Sequence, residues 1–126
     1  MRDAFLDTSY VVAIALDEDD ATALARRLNA FGRVSASILL EAELGATLRR
    51  EARPMDERLL EKIDWVHPDR SLAKEIGQVL DAGFVRGADC FHLACALYFA
   101  VDRAEVTFLT LDSRQRAVAK ALGFKA

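Results

Sequence analysis

Apolar residues along this chain fall in short blocks separated by charged and turn-forming residues. Ala4-Phe5-Leu6 is one such block; it stops at Asp7-Thr8-Ser9 and leads into Tyr10-Val11-Val12-Ala13-Ile14-Ala15-Leu16. This predicts a buried strand running into a helix, with Thr8 or Ser9 as the helix N-cap. Asp17 to Asp20 then opens a second helix, Ala21 to Ala30, with Leu24 and Leu28 four apart and Gly32 as its stop. Val34-Ser35-Ala36 predicts a second strand, followed by a long helix from Ile38 to Glu51 that Pro54 separates from the next. Met55 to Ile63 reads as a helix and Asp64-Trp65-Val66-His67-Pro68 as a third strand. Ser71 to Leu80 is helical up to Ala82-Gly83. Asp89 to Val101 is helical with Phe91, Ala94, Cys95 and Tyr98 on one face. Val106 to Leu111 is a buried strand ending at Asp112, and Arg114 to Leu122 is a last helix stopped by Gly123.

Strands that alternate with helices imply an α/β domain in which a short parallel sheet is covered by helices on both faces. The 126 residues suffice for one such core and not for two, so a single domain is expected. Sheets of this kind bind ligands beyond the carboxyl ends of their strands, where both Asp7 and Asp112 fall.

Composition narrows the class. Charge is spread along an apolar, Ala-rich chain, which favours a folded protein over a disordered one. No membrane span is expected: the longest weakly polar run, Phe91 to Val101, is broken by His92 and falls short of the roughly 20 residues a spanning helix needs. Asp3 and Asp7 fall where a signal peptide would be apolar. The two cysteines, Cys90 and Cys95, exclude a disulfide framework and fit the reducing cytoplasm. A net charge of -3 argues against broad surface binding of long nucleic acid. Any such partner must be gripped locally, by metal ions and a small arginine cluster.

Carboxylates at the ends of apolar strands are costly unless something neutralises them. Asp7 and Asp112 stand at such ends, Asp89 occupies the first turn of a largely apolar helix, and Glu43 lies within the long helix. Hard cations such as Mg²⁺ and Mn²⁺ take oxygen ligands, and a few carboxylates with open water positions suit metal-assisted phosphoryl chemistry. Glu41 and Glu43 cannot share a helix face, and the helix pattern by itself leaves the two open.

Four segments, taken in order, resemble those of the PIN domain family, and within it the VapC-like toxins of toxin-antitoxin pairs. They are Phe5-Leu6-Asp7-Thr8-Ser9; Glu43-Leu44 followed by Leu48-Arg49-Arg50; Ala88-Asp89 followed by His92-Leu93-Ala94; and Phe108-Leu109-Thr110-Leu111-Asp112. Each is weak alone; four in order over nearly the whole chain are fairly specific. The resemblance implies a metal-dependent endoribonuclease whose acids, here Asp7, Glu43, Asp89 and Asp112, hold Mg²⁺ or Mn²⁺. Its spacing selects Glu43 over Glu41. A metal-activated water would then attack an RNA phosphodiester, with Ser9, or Thr8, holding that water or a phosphate oxygen. It also implies a homodimer and an antitoxin protein that covers the site.

Simpler roles compete for the same residues. Asp7 and Asp112 are good N-caps, and Asp89 suits the positive end of a helix. Asp17 to Asp20 reads as a solvated helix start, without the glycine and distal glutamate of a calcium loop. His92 reads as a packed, hydrogen-bonded histidine before it reads as a general base, and His67 as a strand-end residue. Cys90, His92 and Cys95 are too few, and too divergent on a helix, for zinc. Arg49, Arg50 and Arg53 form a basic patch that reads first as a solvated face and second as an RNA phosphate or antitoxin contact, with Arg86 and Arg114 in a similar role. A phosphoacceptor receiver domain and a PIN fold kept only for binding are the alternative functions. The receiver would pair two acids after its first strand, whereas Asp7 stands alone.

Overall fold

The structure, a computed structural model, describes residues 2–126. Its frame is a four-stranded parallel sheet made of β1 (Asp3–Leu6), β2 (Arg33–Ser37), β3 (Ile63–Val66) and β4 (Val106–Leu109), in the order β3-β2-β1-β4. Around it lie α1 (Thr8–Ala15), α2 (Ala21–Leu28), α3 (Leu39–Arg50), α4 (Glu57–Glu61), α5 (Ala73–Ala82), α6 (Gly87–Phe99) and α7 (Ser113–Ala121). Side chains alternate across a strand, so β1 sends Ala4 and Leu6 to one face and Phe5 to the other. Ala4 and Leu6 join Tyr10, Val11, Leu40 and Leu44 in one apolar cluster; Phe5 joins Val79, Leu93, Cys95, Phe108 and Val118 in the second. Both faces of the sheet are therefore covered, as the α/β pattern requires.

The chain winds outward from β1 through β2 to β3 and then returns to place β4 on the far side of β1. Connections leave β1 and β4 in opposite directions, which opens a crevice at the carboxyl ends of these two strands. The outer edge of β4 is closed by the end of the chain: Phe108 N–H donates to Lys125 O (2.7 Å) and Lys125 N–H to Val106 O (3.0 Å). Covering an edge in this way removes a template for unwanted strand pairing.

Several expected boundaries move. The N-cap of α1 is Asp7, one residue before Thr8: its carboxylate accepts from Ser9 N–H at 3.0 Å. Asp17 to Asp19 belong to the turn after α1, with Asp17 at φ 55°, and only Asp20 opens α2, as its N-cap. The helix expected over Met55 to Ile63 shrinks to α4, because Ile63 is buried as the first residue of β3. β4 ends at Leu109, leaving Leu111 exposed, since Thr110 turns its hydroxyl toward Asp112 N–H (3.1 Å). Finally, α6 starts at Gly87 and buries far more than one face: Cys90, His92, Leu93, Ala94, Cys95 and Ala96 are all buried. A helix packed between a sheet and α5 has little solvent side to show.

Candidate active site

Three elements end or begin at the crevice. Leaving β1, the chain reaches Asp7, which is 4% exposed, an unusual place for a carboxylate. Besides capping α1, Asp7 accepts from Gln115 Nε2–H at Oδ1 (3.0 Å) and lies 3.3 Å from Thr110 Oγ1 at Oδ2. Leaving β4, the chain reaches Asp112, the N-cap of α7, whose Oδ1 accepts from Gln115 N–H at 2.8 Å. Gln115 is fully buried and ties the two strand ends together, since its carbonyl oxygen also accepts from Thr110 Oγ1 at 2.7 Å. A second tie is Ser9, whose Oγ accepts from Leu111 N–H (3.0 Å) and lies 3.2 Å from Thr110 Oγ1.

Asp89 enters from the first turn of α6 and Glu43 from α3. Glu43 Oε1 accepts from Thr8 Oγ1 at 2.7 Å and lies 2.6 Å from His92 Nε2. Glu41, by contrast, is exposed, so the helix register turns Glu43 and not Glu41 to the crevice. Asp89 makes no side-chain hydrogen bond among the described residues. Burial, then the neighbouring carboxylates of Asp7 and Asp112, push its carboxyl above the usual range; Glu43 adds to the rise and His92 opposes it. The four acids are thus close enough to repel one another.

That repulsion is the test of whether a cation fits here. Asp89 has no protein partner, and its surroundings disfavour its charge, which is the environment a hard divalent ion relieves with carboxylate oxygens. The donor set therefore fits a hard divalent cation. As arranged, no three histidine, cysteine, aspartate or glutamate side chains among the described residues stand at coordinating distance of one point. Glu43 is drawn to Thr8 and His92, and Asp112 is exposed but held at Oδ1 by Gln115 N–H.

A cleft of about 480 Å³ opens beside Asp89 and Asp112, lined also by Phe84, Val85, Arg86, Ser113 and Arg114. Arg86 and Arg114 are the guanidiniums that border the acids. Arg49 and Arg53 line a separate groove toward the end of α3, with Gly45, Ala46, Leu48, Pro54 and Met55; Arg50 points to Glu51. Cys90 and Cys95 are buried in the apolar cluster, away from zinc chemistry; burial pushes the Cys95 thiol up to about 12. His67 is exposed.

Gln115, Thr110 and Ser37 were not legible as site residues. A weak sign existed for Gln115, which stands three residues after Asp112 as the glutamine of a capping box would. Its side chain, however, reaches back to Asp7 instead of to the cap.

A small parallel sheet with four acids gathered at its switch point defines a class of metal-dependent nucleases, and the comparison with known proteins agrees. The sequence model of the PIN domain matches residues 4–121, and the chain belongs to the PIN domain family. It is similar to Ribonuclease VapC46 of Mycobacterium tuberculosis, 32% identical over 126 residues that span 98% of this chain and 95% of that protein. Family membership sets aside the receiver-domain alternative.

Proposed function

We propose that this chain is a metal-dependent endoribonuclease and the toxin of a toxin-antitoxin pair, acting in the cytoplasm. The observation that carries the reading is Asp89, an unpartnered carboxylate pressed by Asp7, Asp112 and Glu43 at the carboxyl end of the sheet. Family membership and the likeness to a ribonuclease supply the reaction class.

Asp7, Glu43, Asp89 and Asp112 would hold Mg²⁺ or Mn²⁺, which when bound supplies a water acidified for attack on phosphorus and charge to offset that of the phosphate. The rest of the work falls to the chain. Gln115 and Ser9 hold the ends of β1 and β4 in register, so that Asp7 and Asp112 stay a fixed distance apart. Thr8 serves through Glu43, and Ser9 through the buried Thr110 and Leu111 N–H at the end of β4, so both hydroxyls act by positioning. Arg86 and Arg114 flank the cleft and suit the phosphates on either side of the cut. Arg49 and Arg53, in their own groove, with Arg50 on the same helix end beside Glu51, suit a more distant stretch of RNA or an acidic antitoxin segment.

A homodimer belongs to this reading. Leu80 and Phe84, 47% and 70% exposed, border an apolar recess with Ile76, Val85, Cys90 and Phe91 beside the cleft, and a second copy of the chain would cover it.

The decisive experiment strips the protein of metal, adds back Mn²⁺ or Mg²⁺, and follows cleavage of a structured RNA. Cleavage should require the ion and fall by at least ~100-fold in Asp7→Asn and Asp89→Asn. Equal cleavage by all three proteins would sink the proposal. Ion binding without cleavage by the wild type would instead mark a PIN fold kept for binding.

A further inference from the structure

His92 is 1% exposed and is not one of the acids, yet three elements converge on its ring. Its Nδ1 lies 2.9 Å from Ser37 Oγ at the end of β2, and its Nε2 lies 2.6 Å from Glu43 Oε1 on α3. Thr8 Oγ1, at the start of α1, is 3.2 Å from Nε2 and donates to the same Glu43 oxygen at 2.7 Å. Asp7 Oδ1 stands 4.0 Å away.

These contacts assign the protons. An ionised carboxylate only accepts, so the hydrogen of the shortest contact must sit on Nε2. The Ser37 hydroxyl holds Nδ1 on the other side of the ring. With both nitrogens engaged, the ring cannot rotate without breaking two bonds inside a closed core. Two donors, Nε2–H and the Thr8 hydroxyl, meet on Glu43 Oε1. Among the described residues, Oε2 of the same carboxylate has no partner. Glutamate has three rotatable bonds and α3 presents Glu43 at a partly open surface, so without these donors the carboxylate would sample several rotamers. A histidine serving packing alone has no need of a contact to the one acid of the four that comes from a mid-helix position.

Resting on the reading of the acids as a cation site, we infer that His92 is the positioning residue for Glu43. Together with Thr8 it holds Oε1 and leaves Oε2 as the oxygen available to a cation or its water, and Ser37 fixes the ring that does so. Partners of this kind behind a ligand carboxylate typically change metal affinity by 10- to 100-fold.

Two measurements test this. In the metal-free wild type, long-range ¹H–¹⁵N correlation of the imidazole should find His92 protonated at Nε2; an unprotonated Nε2 overturns the inference without any variant. Calorimetric titration with Mn²⁺ then compares wild type, His92→Gln and His92→Asn. Glutamine places an amide N–H near the position of Nε2, while asparagine reaches only the Nδ1 side. His92→Gln should therefore bind Mn²⁺ within roughly threefold of wild type, and His92→Asn roughly 10- to 100-fold more weakly. The KM for RNA should stay near wild type in both, with the loss in kcat. Equal Mn²⁺ affinity in all three proteins, or affinity that merely follows the thermal midpoint, overturns the inference and leaves the proposed function standing. A wild type that binds no Mn²⁺ removes the proposed function itself, and this inference with it.

Discussion

Asp89 carries the sharpest conflict between stability and use in this protein. In the metal-free state its charge is opposed by burial and by Asp7 and Asp112, so an uncharged isostere relieves strain that a bound cation would otherwise relieve. Asp89→Asn should accordingly raise the thermal midpoint of the metal-free protein while abolishing its response to Mn²⁺. The wild type should gain about 2.7 kcal/mol with free Mn²⁺ at a hundred times its dissociation constant. Differential scanning calorimetry with and without the ion checks both halves; a variant less stable than metal-free wild type contradicts the account of Asp89. Asp7 differs, because hydrogen bonds from Ser9 N–H and Gln115 Nε2–H already compensate its burial, so its loss should also unsettle the ends of β1 and β4. The identity of these aspartates was readable from strand ends and from family spacing. Their compensation was not, since Gln115 and Thr110 reach Asp7 across more than a hundred residues of chain.

Among the elements, three helices share one ending. At Asp17, Ala52 and Gly123 the second residue after the helix has positive φ, at 55°, 54° and 99°, and the next N–H turns back to the last helical turn. The bonds are Glu18 to Ala13, Arg53 to Leu48 and Phe124 to Ala119, the double-turned pattern usually built on glycine. Gly123 was legible as a stop for that reason, whereas Asp17 and Ala52 lack a glycine and their turns were not. A left-handed conformation costs an L-residue with a Cβ about 1 kcal/mol. Ala52→Gly should therefore stabilise the protein by up to about 1 kcal/mol, less the extra chain entropy glycine brings to the unfolded state. Urea denaturation measures it; a clear loss of stability would show that α3 does not depend on this cap. α3 matters because it carries Glu43, and its buried Leu40, Leu44 and Leu48 fix the rotation that brings Glu43 to the crevice.

For the whole molecule, acid should act through a tie remote from the site. Arg70 donates to both oxygens of Glu75, at 3.0 and 2.7 Å, and holds its carboxyl down to about 2 from 4.5. Because the folded value lies below the unfolded one, this pair stabilises the fold above pH 4.5 and the contribution disappears as pH falls toward about 2. Arg70 is half exposed, so solvent keeps the contribution small. Wild type should melt slightly above Glu75→Gln near neutrality, with the two curves meeting as the pH approaches 2; an undiminished gap there would reject the linkage. The proposed homodimer is tested at the same scale. Phe84→Asp should shift sedimentation from dimer to monomer, and an unchanged dimer would move the interface elsewhere.

What the sequence determined by itself follows from local rules. Apolar runs of strand and helix length, alternating, are enough for a parallel sheet with two covered faces, and carboxylates at strand ends are enough to place Asp7 and Asp112 at one edge of it. The four motifs in order were enough for the family. Boundaries slipped where a side chain overrode the apolar pattern, as when Thr110 ended β4 early or Ile63 left its helix for β3. Only the tertiary structure decided who stands beside whom. It put Arg86 and Arg114, rather than Arg49 and Arg53, against the acids, and it brought Ser37, Glu43 and Thr8 onto His92. The contacts on His92 join residues 49 to 84 positions apart, and they depend on strand order and helix rotation, which no local pattern encodes.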